Sequence, residues 1–324
     1  MKIQTVVIAQ DTAAPILEQL FRRQWPGVWP CGSSMVGNTL FVPPSCDGKL
    51  RADWLICCTP PPEKIVTDIP KNRRIFLIQE PPEFWRPPAE LLSHFGYIIS
   101  PYHLDVPEGT TLFLGVTTGL FWWYGVEMNG HKPVGGSLSY DEIRLEPRHK
   151  KGRLLSTIVS NKSFLPGQQS RVDFTLALKE QLGSVFDIFG YPHNPIVDKR
   201  DALIGYKFHL AIENAVHPHY WTEKLADPIL GRCKVFYHGA GEIHNYFPKD
   251  AVVSINIHEP QEAMRIIKHH LSQADKINDQ AIEVSREHVL SKFNIPFYFD
   301  KIIQRILESE QKSSDLNYSR DKSD

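Results

Sequence analysis

Residues 206–224 read YKFHLAIENAVHPHYWTEK, and the rest of the chain is organised around them. Phe208, Leu210, Ala211 and Ile212 form a short apolar run that stops at Glu213-Asn214, the pattern of a buried strand carrying two polar residues to its C-terminal end. That end is where open α/β sheets hold their ligands. AVHPHY follows, and Pro218 prevents it from continuing a strand or beginning a helix, so it is a loop. Thr222 then caps a helix expected through Leu225, Ile229 and Leu230 to Gly231, with Glu223 and Lys224 in its first turn. A helix start offers free N–H groups and partial positive charge, and a lysine beside them suits the site to phosphate.

Outward from this hub the chain alternates strands and helices. On the N-terminal side, residues 3–9, 52–59, 74–79 and 97–100 read as strands, with helices at 14–23 and 88–94. Two of these strands end in proline-stiffened loops, Pro60-Pro61-Pro62 and Glu80-Pro81-Pro82. Nearer the hub, residues 154–159, 185–189 and 234–237 read as strands, with a helix over 171–182 and a short one over 198–205. Beyond 252–257, helical periodicity runs through 263–271, 277–290 and 298–307. The segment PRHKKGR, residues 147–153, is a polar, basic break containing Gly152. It divides the chain into an expected α/β domain over 1–150 and a second over 151–310, leaving 311–324 as a polar tail expected to be unstructured. A chain of 324 residues accommodates two such cores.

Composition narrows the class. Hydrophobic residues make up 42% and charged residues 23%, at a formal net charge of -1, which fits a soluble globular protein and argues against nucleic acid as a partner. Five cysteines without C-x-x-C spacing point to reduced thiols and a cytoplasmic protein. No apolar run is long enough for a membrane span, which leaves only peripheral membrane contact open.

The residue types and spacing at the hub agree together with a known pattern. Tyr206-Lys207-Phe208, Glu213-Asn214, Tyr220 and Thr222-Glu223-Lys224 resemble the donor-binding motif of the family 10 glycosyltransferases, the α1,3/4-fucosyltransferases, in their soluble bacterial form. Ser160-Asn161 followed by Arg171, and Phe247-Pro248 downstream, extend the resemblance over about 154–257. In the first half it rests on Glu80-Pro81-Pro82, similar to the family's Glu-Ser/Thr-Pro. The resemblance implies a GT-B fold, two Rossmann-like α/β domains facing across a cleft, and an inverting transfer of L-fucose from GDP-fucose to a hydroxyl of a glycan. It implies that Arg171 and Lys224 bind the diphosphate, that Asn214 touches the phosphate region, that Glu223 hydrogen-bonds the ribose and that Tyr220 lines the nucleotide pocket.

The chemistry fits those residue types. A leaving diphosphate gains charge as the sugar bond breaks, and guanidinium, ammonium and helix N–H groups stabilise it. No D-x-D occurs, so no metal and no cofactor beyond the GDP-fucose donor are expected. Inversion needs one carboxylate to take the acceptor proton, and Glu80, ending a first-domain strand, is the candidate base. The aromatic residues Trp122, Trp123 and Tyr124 read first as core and second as a platform for the acceptor sugar. His217 and His219 form an H-x-H without a suitably spaced third ligand, so a metal there is disfavoured. Trp221 and Val235 depart from the family pattern, and Trp221 is placed to reshape the donor pocket. Two other readings remain: a family member using another GDP-sugar, and a nucleotide-sugar or glycan-binding protein that has lost turnover.

Overall fold

The computed structural model describes residues 2–9, 20–29, 31–44, 50–59, 65–129, 132–134, 137–160 and 166–320. Most of the helix expected over 14–23, Cys46, Pro60-Pro61-Pro62 and Asn161 lie outside them. The first unit is a seven-stranded sheet of β1 (Gln4–Ala9), β2 (Ser34–Val36), β3 (Thr39–Val42), β4 (Trp54–Cys58), β5 (Arg74–Leu77), β6 (Tyr97–Ser100) and β7 (Thr111–Leu114). Their order is β2-β3-β1-β4-β5-β6-β7, parallel throughout except for the β2–β3 hairpin. Trp54 to Cys58 are all buried, the continuous apolar run of a strand covered on both faces. Helix α1 (Ala89–Ser93) precedes β6. Strands β2, β3 and β7 escape the sequence pattern because three or four residues are too few to show a period.

A two-stranded excursion, β8 (Met128–Asn129) and β9 (Lys132–Pro133), and helix α2 (Tyr140–Leu145) lead to the second unit. Here β10 (Arg153–Ile158), β11 (Phe186–Phe189), β12 (Tyr206–Ile212), β13 (Lys234–His238) and β14 (Val252–Ser254) form a parallel sheet in the order β11-β10-β12-β13-β14. The chain moves outward from β10 to β11, then returns to place β12 on the other side of β10. The strand order therefore reverses between β10 and β12, which puts a ligand crevice at their C-terminal ends. Helices α3 (Pro166–Leu182), α4 (Glu223–Leu230), α5 (Pro260–Leu271), α6 (Asp279–Ser291) and α7 (Ile295–Arg320) complete the fold. Two parallel α/β units, as expected of GT-B architecture, are what the sheets form.

The two units share one core, in which Val6, Ile56 and Leu77 belong to the same buried cluster as Trp221, Leu225 and Tyr237. The C-terminal helix crosses back: α7 packs on β2 and β3 of the first sheet, where Asp300 accepts from the Thr39 hydroxyl at 2.7 Å. The last helix of the segment expected as the second domain, 151–310, thus lies against the first sheet. The polar segment from 311, expected to be unstructured, continues as helix to Arg320. Its propagation adds one hydrogen bond per residue to a helix already anchored by buried Phe299, Ile303 and Ile306. The PRHKKGR break is also held firmly. Arg148 pairs with Asp279 at 2.7 Å, and the Lys151 ammonium donates to the carbonyls of Tyr206 at 2.6 Å and Gly231 at 2.8 Å. Among the described residues, no helix is long and apolar enough to cross a membrane.

Candidate functional site

Strand β12 lies in the middle of its sheet, paired with β10 and β13, and releases Glu213 and Asn214 at the crevice. Glu213 is completely enclosed. Its two oxygens accept from the Thr222 backbone N–H and the Thr222 hydroxyl, each at 2.8 Å. That carboxylate clasps the two ends of the proline loop together. Thr222 then caps α4, its hydroxyl accepting from the Lys224 N–H at 3.1 Å, so the helix start forms where the sequence placed it. Burial pushes the Glu213 carboxyl up, against Lys224, whose Nζ is 3.7 Å away. Sequence reading placed Glu213 at a strand end and gave it no role. A carboxylate at the end of a fully apolar run was the available signal, because such a group has to be paired.

Helix α3 supplies Arg171. The side chain is buried, its Nη1 donates to the Asn214 Oδ1 at 2.8 Å, and its Nε finds no partner among the described residues. Close packing brings the two elements together, since a side chain at Gly167 would collide with the Asn214 carbonyl. Arg171, Glu223 and Lys224 line one cavity of about 480 Å3 at the ends of β10 and β12. Burial alone would raise the Glu223 carboxyl. Lys224 at 3.4 Å and Lys199 at 3.7 Å outweigh it and hold the group at about 2.

Lys199 lines the same cavity and was not foreseen as a site residue. It sits in a turn capped by Asp198, whose side chain accepts from the Arg200 N–H, and its ammonium lies 2.8 Å from Asp227 on α4. The other Asp227 oxygen accepts from the backbone N–H groups of Trp123 and Tyr124, both at 2.9 Å. Burial disfavours the Lys199 charge, but Asp227 and Glu223 keep it above the usual lysine value. His209, buried behind them and bonded to the Ser156 hydroxyl at 2.8 Å, is held neutral at about 3 by burial and by Lys199 and Lys151. The cavity thus presents two ammonium groups and a guanidinium around the carboxylates of Glu223 and Asp227.

Glu80 enters from the first unit, just beyond β5. Burial raises its carboxyl above the ordinary range, Lys224 draws it down and Glu223 pushes it up, so it lies within electrostatic reach of both residues across the cleft. The loops meet directly. The His219 N–H donates to the Pro101 carbonyl at 3.3 Å, and His217 sits 3.1 Å from both oxygens of Glu83. Glu83 occupies the His217 ring and the Tyr246 hydroxyl bonds the His219 ring, and among the described residues no three potential ligands cluster to hold a metal.

Other sequence expectations are redistributed. Tyr220 is buried and is not part of the cavity wall, although burial and the nearby Glu213, Glu223 and Glu80 carboxylates all raise its hydroxyl. Trp122 and Tyr124 are 3% and 0% exposed, and the Tyr124 hydroxyl donates to Glu146 at 2.7 Å. These two rings are core and offer no open face to a sugar, while Trp123 is half-buried. Trp221 does not line that cavity. It packs edge-on against Tyr246, Phe247 and Phe293 and abuts Gly119, sealing the junction between the units.

Residues 148–280 match the family model described as glycosyltransferase family 10 (fucosyltransferase), C-terminal. This bears out the resemblance read from the hub. The chain is 28% identical over 258 residues to a 4-galactosyl-N-acetylglucosaminide 3-alpha-L-fucosyltransferase of Hylobates lar, covering 78% of this chain and 60% of the relative. It is 39% identical over 98 residues to a GDP-fucose protein O-fucosyltransferase 3 of Xenopus tropicalis, covering 28% of this chain and 20% of that protein. It therefore spans less than two thirds of the length of these relatives. A crystal structure of an alpha1,3-fucosyltransferase with GDP superposes with a TM-score of 0.49 at 15% identity, covering 90% of this chain and 92% of the other.

Proposed function

We propose, taking residues 148–280 as the donor half of a family 10 glycosyltransferase, that the protein transfers L-fucose from GDP-fucose to a hydroxyl of a glycan, with inversion. The convergence of Arg171, Glu223 and Lys224 on one cavity at the strand-order reversal supports this reading most directly. Arg171 and Lys224 hold the diphosphate, Asn214 fixes the Arg171 guanidinium beside it, and Glu223 takes the ribose hydroxyls. The first turn of α4 adds backbone N–H groups. Charge developing on the departing diphosphate is met by cations already in place, so the step proceeds without a metal ion.

Glu80 acts from the first unit, outside the cavity wall. It accepts the acceptor hydroxyl proton as that oxygen attacks the anomeric carbon on the face away from the diphosphate, and the sugar–phosphate bond breaks in the same displacement. A base in a half-buried site, with its pKa above the usual carboxylate range, is better matched to a hydroxyl proton than a fully solvated one. The test is calorimetric titration with GDP-fucose, GDP-mannose and UDP-sugars, followed by transfer assays. Tightest binding of GDP-fucose with measurable transfer is the expected result. A preference for a UDP-sugar defeats the proposal.

A further inference from the structure

Trp122 and Tyr124 are core and give an acceptor sugar no open face, but the structure offers another surface. A groove of about 450 Å3 lies between the loop after β5, the segment after β6 and the hub loop, within the range of about 300–1,000 Å3 usual for small-ligand sites. It adjoins Glu80 through Tyr102, a groove residue whose hydroxyl donates to the Glu80 carbonyl at 3.5 Å. His217 closes one wall from the hub loop, held there by Glu83 and by its ring contact with Tyr102, at 5.4 Å between centroids. Both units therefore build the groove, and it exists only where the hub loop docks against the first sheet.

Its chemistry is divided. Pro82, Pro87, Ala89 and Leu104 give an apolar surface that suits the C–H face of a pyranose ring. Arg86, His103 and Asp105 stand exposed along the rim and supply hydrogen-bond donors and an acceptor carboxylate. The charges of Arg86 and Asp105 balance at the rim, whereas the donor cavity has more cations than carboxylates, so a neutral polyhydroxylated ligand fits the groove better than an anion.

We infer that this groove, lined by Pro82, Arg86, Ala89, His103, Asp105 and His217, is the binding site for a neutral pyranose of the acceptor glycan. The inference rests on the transfer reading above, and it assigns recognition to exposed rim residues that touch neither the donor cavity nor the hub carboxylates. The acceptor ring lies on the proline and leucine surface, and Arg86, His103 and Asp105 select its hydroxyls.

The probe is a 4-galactosyl-N-acetylglucosaminide, titrated by saturation-transfer NMR in the presence of GDP, with GDP affinity measured separately by calorimetry. Two variants are compared with the wild type: Ala89→Trp, which fills the groove from an exposed helix start, and the double variant His103→Ala/Asp105→Ala. The expected result is loss of disaccharide binding in the first and about tenfold weaker binding in the second, the size of one lost polar contact of moderate strength. GDP affinity stays the same in both. Unchanged disaccharide affinity in both variants, or no disaccharide binding by the wild type, overturns the assignment. Failure of the wild type to bind GDP sinks the donor reading instead, and the disaccharide titration then judges the groove by itself.

Discussion

The Glu213 carboxylate and Thr222 are joined by two hydrogen bonds of 2.8 Å, from the Thr222 N–H and its hydroxyl, inside a fully buried pocket. The loop carrying Val216 to Trp221 leaves the sheet and returns to it through this pair. Glu213→Ala strands two buried donors and leaves the Lys224 ammonium without its buried partner. A loss of about 3 kcal/mol in unfolding free energy is expected, read from urea denaturation, with weaker GDP binding. Glu213→Gln keeps an acceptor for Thr222, so a cost equal to that of the alanine variant contradicts the clasp.

Lys199 and Asp227 tie the donor cavity to the backbone of Trp123 and Tyr124. Removing either charge alone takes from the other its nearest opposite charge in a buried site, which is expected to destabilise by about 3 kcal/mol. The double variant Lys199→Met/Asp227→Asn is expected to cost clearly less than the sum of the singles, because the coupling disappears with both partners. Additive losses in a double-mutant cycle argue that the two residues act independently.

Glu80→Gln tests the base. Transfer is expected to fall by about 10²–10⁴-fold while GDP affinity is retained, since Glu80 is not part of the donor cavity wall. The pH profile carries the sign. Burial places the Glu80 carboxyl above its ordinary value, so kcat/KM rises with pH and its acid limb lies above the usual glutamate range of about 4.3. Near-normal turnover in the glutamine variant removes Glu80 from the mechanism.

Glu223 gives a stability prediction. Its folded-state value of about 2 lies below the ordinary 4.5, so it stabilises the fold above pH 4.5 and loses that contribution as pH falls toward 2. The gap in unfolding free energy between wild type and Glu223→Gln is expected to close across that window, by on the order of 3 kcal/mol at most. A gap that stays constant from pH 5 to pH 2 shows that Lys224 and Lys199 do not hold the carboxylate ionised.

Much of the hub was legible beforehand. The apolar run of β12, the break at Pro218 and the Thr222 cap are written in neighbouring residues, and the resemblance carried by Tyr206 to Lys224 supplied the family that residues 148–280 match. Arg171 was placed through the same resemblance, and the structure brings it to Asn214. Lys199 was missed because its turn reads as an ordinary polar segment, and only the return of α4 beside it gives its charge a partner. For Trp122, Trp123 and Tyr124 the sequence leaves core and sugar platform side by side, because composition shows aromatic residues without showing which side they face; Trp122 and Tyr124 are core.

What the sequence determined by itself is the succession of elements and the chemistry available at the end of β12, because hydrophobic period, proline and helix capping act within a few residues. Tertiary structure alone decided which residues meet. The order β11-β10-β12-β13-β14 opens the donor cavity, the shared core buries Trp122, Tyr124 and Trp221, and the docked hub loop brings His217 to Glu83. These contacts join residues far apart in the chain, and they form because burying both units' apolar faces against each other outweighs any local preference of the segments involved.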